Sequence, residues 1–227
     1  MPVLVLNSSF TPDSVWQARL TSSISIQDTG GFPEITDGLI LIEDNGVVVD
    51  TLTHMHKGTY RGLSPRRPEV GHNYTVRASA NGYETVTGTD LVPTPVQILT
   101  PAIQDSAEAG PFEDWSAEVS FSIDDPGNEN NYYIAYIYRM DTFISFPDTF
   151  YYPNPIWPSI SDPIFEFDAN SNGVMFTDAS FNGQTRNLRM LISDYETENG
   201  VLYIGLSTCT EHYLSLIHIS EPTRPLY

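Results

Sequence analysis

Residues 38–54 read Gly-Leu-Ile-Leu-Ile-Glu-Asp-Asn-Gly-Val-Val-Val-Asp-Thr-Leu-Thr-His: two apolar runs, Gly38 to Glu43 and Val47 to His54, on either side of Asp44-Asn45-Gly46. Both runs favour β-branched and aliphatic residues, which pack well on a pleated surface. An Asn-Gly pair accepts the positive φ values that a tight hairpin turn demands, since glycine has no Cβ to clash. The stretch is therefore expected to be a β-hairpin. Similar strand-like runs stand at Val3 to Phe10, Gln17 to Ile26 and Tyr74 to Ala80, and Asn81-Gly82 follows the last of them. Val92-Pro93-Thr94-Pro95 then closes the first half in extended conformation, because proline fixes φ and cannot donate to a ladder.

Between Thr100 and Trp115 the chain holds Pro101, Gly110, Pro111 and four acids, which suits a linker or long surface loop. Strand patterns resume at Ala117 to Ile123 and at Asn131 to Met140, the latter with four tyrosines. Phe143 to Phe165 is rich in proline and aromatic residues and reads as irregular. Gly173 to Thr177, Thr185 to Ser193 and Gly200 to Ser207 complete a second set of strands. Neither half carries a long 3.6-residue period, so an all-β chain of two sandwich units is expected: residues 1–98, a connection over 99–116, and 117–213.

Composition narrows the function classes. The 227 residues are 40% hydrophobic and 12% aromatic, enough to build a core. Against 29 acids stand only 10 Lys and Arg, for a net charge of −19, so nucleic acid is not an expected partner. Cys209 is the single cysteine, which excludes an intramolecular disulfide and a cysteine-rich zinc site. No apolar run reaches the length of a membrane helix.

The chain opens Met1-Pro2-Val3-Leu4-Val5-Leu6, already strand-like, without the basic, apolar and small-residue segments of a secretory leader. Leu214 to Arg224 reads Leu-Ser-Leu-Ile-His-Ile-Ser-Glu-Pro-Thr-Arg, which is similar to an in-frame translation of a transposase sequencing adapter. Residues 214–227 are accordingly expected to be a non-native tail without native packing, and His218 gets no functional reading.

Several stretches, taken in order, carry a resemblance. They are Thr11-Pro12-Asp13-Ser14-Val15-Trp16-Gln17-Ala18-Arg19-Leu20, Gly58-Thr59-Tyr60, Gly71-His72-Asn73-Tyr74-Thr75-Val76 and Asn81-Gly82-Tyr83-Glu84 in the first half. In the second half they are Ile123-Asp124-Asp125-Pro126-Gly127, Asn131-Tyr132-Tyr133 and Phe176-Thr177-Asp178-Ala179-Ser180-Phe181-Asn182-Gly183. The first half resembles transthyretin-like and immunoglobulin-like sandwiches of bacterial envelope proteins. The whole, over residues 3 to 213, resembles the Bacteroidota envelope lipoproteins grouped as domain of unknown function 4249. That resemblance implies an exported protein on the cell surface or outer membrane, tethered by a lipidated N-terminal cysteine and often encoded near TonB-dependent receptors, with no established catalytic residues. The lipidation cysteine is absent from this chain, and the family continues past Tyr213, so the second unit is expected to be incomplete.

Candidate sites are few. Asp168-Ala169-Asn170-Ser171-Asn172-Gly173 matches the first half of a calcium loop, with oxygen ligands at alternate positions and a glycine for the turn. The twelfth position is Ala179, with Asp178 one residue earlier, so Asp168, Asn170, Asn172 and Asp178 are the candidate Ca²⁺ ligands; a plain turn between strands is the competing reading. His54 and His56 have the spacing that puts two imidazoles on one face of a strand, where solvated histidines compete with zinc or copper ligation. Phe150, Tyr151, Tyr152 and Trp157, with Phe143, Phe146 and Phe165, form either a platform for sugar rings or a partner protein, or a cover for the sandwich or the space between units. The cover is favoured, because large aromatics bury more often than they sit exposed. Neither a nucleophile elbow, a His-Glu-x-x-His helix nor a phosphate loop is present.

The expectation is therefore a non-enzymatic envelope lipoprotein accessory to TonB-dependent nutrient uptake, whose partner is an outer-membrane receptor or its ligand. A secreted carbohydrate-binding module is the alternative, and a hydrolase using paired carboxylates the third.

Overall fold

The structure, a computed structural model, describes residues 2–25, 30–107, 116–127, 129–159, 162–168, 173–193 and 201–220. Among the described residues the chain is all-β but for one helix, and it divides into two compact units, Met1–Thr94 and Pro95–Tyr227.

The first unit contains β1 (Leu4–Ser8), β2 (Gln17–Ser22), β3 (Leu39–Asp44), β4 (Val47–His56), β5 (Thr59–Arg61), β6 (Asn73–Ser79) and β7 (Val86–Leu91). Their hydrogen-bonded order is β1-β2-β5-β4-β3-β6-β7, antiparallel throughout. The β3–β4 hairpin turns on Asn45 at φ 49° and Gly46 at φ 80°, with Asp44 facing Val47, as the Asn-Gly pair requires. β4 is long enough to serve two neighbours: Val47 to Leu52 pair with β3 and Thr53 to His56 with β5.

Alternate residues of these strands, Leu20, Ile40, Ile42, Leu52, Val76 and Ala78 among them, point into one core around Trp16. The Trp16 ring packs edge-on against Tyr74 at 4.6 Å and lies 5.0 Å from Phe10. Full burial of an aliphatic chain such as Leu20, Ile40 or Ile42 contributes about 1.5–3 kcal/mol. Tyr60 is buried yet keeps its hydroxyl bonded: it donates to the Ile35 carbonyl at 3.0 Å and accepts from the Gly38 amide at 2.8 Å. Gly38 is needed there, because a Cβ would stand 2.4 Å from the Leu20 Cδ2 and 3.1 Å from that hydroxyl.

A bulge separates the two histidines of β4. His54 faces Tyr60 and His56 faces Thr59, adjacent residues of β5 whose side chains leave opposite faces of the sheet. His54 packs on the Tyr60 ring and His56 is exposed, so the one-face pair expected from their spacing does not form.

The second unit contains β8 (Leu99–Ala107), β9 (Ser116–Asp124), β10 (Tyr132–Ser145), β11 (Asp148–Ile156), β12 (Glu166–Asp168), β13 (Gly173–Thr177), β14 (Thr185–Ser193), β15 (Leu202–Cys209) and the helix α1 (Glu211–Ser220). One sheet has the order β14-β9-β8; the other runs β11-β10-β13-β12, with β15 on the far side of β10. Phe121, Ile123, Leu188, Met190 and Ile192 of the first meet Tyr133, Ala135, Ile137, Val174 and Phe176 of the second in a single core.

Three expectations are corrected. Residues 99–107, read as part of a connection, are the edge strand β8. An edge tolerates Pro101, and the pairing with β9 shifts between Leu99 and Ala102, where Thr100 takes φ 45°. The stretch after Phe143, read as irregular, is half of the β10–β11 hairpin, with Pro147 at its turn and Pro153 and Pro155 on the outer strand. Leu214, read as outside the native packing, is 8% exposed and lies against Ile134 and Met175.

Tyr60→Phe should destabilise the first unit by about 1–3 kcal/mol, since the change strips a partner from two backbone groups without altering shape. A chemical-denaturation midpoint unchanged from wild type would show that the hydroxyl carries no part of the fold.

Candidate functional site

Two loops of the second unit meet where β9 gives way to β10 and β13 to β14. Asp125, Asn131 and Asp178 are the buried polar residues here. Asp178 Oδ2 accepts the Asn131 backbone amide at 3.0 Å, and the Asn131 side-chain amide donates to the Pro126 carbonyl at 3.1 Å. Asp125 accepts the Tyr133 hydroxyl through Oδ1 and the Gly183 amide through Oδ2 at 2.8 Å. The Asn182 side chain donates to the Glu129 carbonyl at 3.0 Å. Burial, and next the bond to Asp125, hold the Tyr133 phenol well above the usual tyrosine range, so it remains a donor. Gly127 and Gly183 bring the backbones together: a Cβ on either would stand 2.9 Å from the other's Cα, and Gly183 has φ 72°. Asp125, Asn131, Tyr133, Asp178 and Gly183 all come from the stretches that carry the family resemblance, and here they work as a structural latch.

The latch accounts for one of the four candidate calcium ligands. Asp178 is 2% exposed and is committed to protein donors. Asp168 ends β12 opposite Gly173, at the start of β13, whereas Asp178 follows the far end of that strand. The five residue steps from Gly173 to Asp178 span about 16 Å at the usual strand rise, so the strand sets the backbone of Asp178 far from that of Asp168. Sequence spacing suggested a compact loop, and the strand between them removes it. Asn170 and Asn172 lie outside the described residues. Among the described residues no three His, Cys, Asp or Glu side chains are grouped to hold a metal.

The aromatic candidates are brought together. β10 pairs with β15 only as far as Arg139 opposite Leu202, while its pairing with β11 continues to Ser145 opposite Asp148. The last turns of the hairpin thus form a two-stranded ribbon whose side chains are exposed on both faces. Directly opposed residues share a face, so Phe143 and Phe150 stand with Asp141 and Tyr152 on one side, and Ile144, Thr142 and Tyr151 on the other. Phe146 at the turn is 96% exposed, Ile144 71% and Tyr151 69%; Phe143, Phe150 and Tyr152 are about half exposed. Trp157, just past β11, is also exposed. The expected cover is therefore not what Phe150, Tyr151, Tyr152 and Trp157 provide. Ile156 and Phe165, on either side of Trp157, supply the core contacts of this stretch instead.

The root of the ribbon is fixed by charge. Arg139 Nε donates to Asp141 Oδ1 at 2.7 Å, and Asn154 Nδ2, across the strand, donates to Asp141 Oδ2 at 3.0 Å. The hydrogen bond from Arg139 holds the Asp141 carboxyl below the usual carboxylate range, so it is ionised wherever the protein is folded near neutrality. Ile144 joins the aromatics singled out from the sequence; its signal was the run of large apolar residues ahead of Pro147 without a turn pair such as Asn-Gly.

Latch and ribbon should respond oppositely to substitution. Asp125→Ala should cost about 2–3 kcal/mol, because it leaves the Tyr133 hydroxyl and the Gly183 amide without their acceptor. Changing Phe143 and Phe150 together to Thr should shift stability by no more than about 1 kcal/mol, as for exposed positions. Urea titration of the two variants checks both; a ribbon variant that unfolds first would make the ribbon part of the core.

The chain matches no curated protein and no solved structure. A family model does match, over residues 1–219, which takes in both units, the latch and the ribbon. The chain belongs to the family described as "Domain of unknown function (DUF4249)".

Proposed function

We propose that this protein is a non-catalytic surface lipoprotein of a Bacteroidota outer membrane, an accessory to TonB-dependent nutrient uptake that docks on its receptor, or on the receptor's cargo, through the β10–β11 ribbon. The observation that carries this reading is the exposure, in one projecting hairpin, of Phe143, Ile144, Phe146, Phe150, Tyr151 and Tyr152. Exposed apolar residues scattered singly need no explanation, but a contiguous group of this kind marks an interaction surface. Tyrosine and phenylalanine are the residue types that supply large contact area with little rotamer entropy, and such anchors dominate binding energy. The strand pairing holds them at a fixed spacing, and the Arg139–Asp141–Asn154 cluster fixes the base from which they project.

Family-level expectation supplies the partner class and the membrane tether, while the commitment of the latch carboxylates to backbone and phenol donors supports a structural role for them.

Titration of the purified chain against TonB-dependent receptors of the same genome tests the proposal. Phe150→Ala and Tyr152→Ala should each weaken binding by about 2 kcal/mol while leaving the fold intact. Ester, glycoside, peptide and phosphate substrates should show no turnover. Catalysis that vanishes with one carboxylate substitution in folded protein, or tight binding to a free glycan in the absence of receptor, would replace this account with an enzyme or a carbohydrate-binding module.

A further inference from the structure

The first unit ends on a small charged cluster that the proposed function does not use. The turn before β6 runs through Glu69, Val70, Gly71 and His72, and it holds Val92, the residue before Pro93, by both backbone groups. The Gly71 amide donates to the Val92 carbonyl at 2.8 Å, and the Val92 amide donates to the His72 carbonyl at 3.0 Å. Pro93 and Pro95 offer no amide, so these two bonds extend the β6–β7 pairing to the exit of the unit. The turn itself closes through the His72 amide on the Glu69 carbonyl at 3.2 Å and the Glu69 amide on the Tyr74 hydroxyl at 3.0 Å.

The His72 side chain spans the same turn. Its Nδ1 lies 2.8 Å from Asp44 Oδ2, at the end of β3, and its Nε2 lies 3.8 Å from Glu69 Oε2. The ring stacks over Tyr74 with centroids 6.0 Å apart. From β7, Asp90 is the carboxylate opposite Tyr74, and it accepts its neighbour's amide, Leu91, at 2.9 Å.

We propose that His72 is a pH-set clamp on the exit of the first unit, tight when the imidazole is protonated and loosened when it is neutral. When protonated, both ring nitrogens are donors, one toward Asp44 and one toward Glu69. The neutral ring keeps its Nδ1 proton for Asp44, so Nε2 turns a lone pair toward the Glu69 carboxylate and an attraction becomes a repulsion. That change acts on the turn whose backbone holds Val92. The hydrogen bond to Asp44, and then the nearby charges of Asp44 and Glu69, raise His72 above the ordinary histidine value. The stabilisation is therefore complete below the unfolded value of about 6.5 and is lost as pH rises through the higher folded one.

Amide exchange of the full chain, followed residue by residue from pH 5.5 to 9 and corrected for intrinsic base catalysis, tests it. Protection at Gly71 and Val92 should fall about twofold to fivefold, the range of one exposed ion pair, with the midpoint of the His72 ring titration; Val76 within β6 should stay constant. Glu69→Gln should reduce the fall while His72 still titrates against Asp44, and His72→Gln should abolish it. Unchanging protection in the wild type, a fall that persists in His72→Gln, or a fall undiminished in Glu69→Gln would overturn the proposal; should His72→Gln fail to fold, Glu69→Gln decides alone.

Discussion

Two buried carboxylates fix where β10 begins. Asp178 takes the Asn131 amide, one residue before the strand, and Asp125 takes the Tyr133 hydroxyl, one residue inside it. With that start fixed, Tyr133, Ala135 and Ile137 must face the core, and a slip by one residue would turn all three outward. The pairings with β13, β15 and β11 follow from the same registration. Gly127 and Gly183 make the latch possible, because only bare backbone lets the two loops approach closely enough for their polar groups to be satisfied.

A fixed start has a consequence at the other end. The fourteen residues of β10 outrun β15, which reaches only to Arg139, so the remainder is paired on one side alone, among the described residues. A two-stranded ribbon in water is marginal unless something holds its base. Here Ile137 and Ile156 are buried at the root, and the Arg139–Asp141–Asn154 cluster sits just beyond them. Pro153 and Pro155 lie on the outer strand and make it a poor template for strand addition, a known protection of exposed edges. Root contacts and outer-strand prolines thus hold the aromatic hairpin extended and hinder strand addition to it, as the proposed docking role requires.

The sequence made the local events legible and hid the non-local ones. The Asn45-Gly46 turn is decided by two residues and reads directly. The all-β character is equally local, because alternation and turn chemistry recur along the chain. β8 escaped because Pro101 speaks against a strand unless one knows that the strand is an edge, and edge position is a property of the sheet. The bulge that parts His54 from His56 depends on β5, and the separation of Asp168 from Asp178 depends on β13 being extended between them. The ribbon was half legible: its aromatics stood out, but whether they are covered depends on where β15 stops. Leu214 found its place against Ile134 and Met175 through the short helix that follows β15, which no strand pattern announces.

Hydrogen exchange along β10, with and without the receptor, tests the central claim most directly. In the free protein the amides of Tyr133 to Ile137 should exchange only with global unfolding of the unit and those of Thr142 to Ser145 by local opening, whereas receptor should protect the latter group and leave the former unchanged. Ribbon amides as slow as the core's in the free protein, or indifferent to receptor, would contradict the account of this hairpin as an arm held out for a partner.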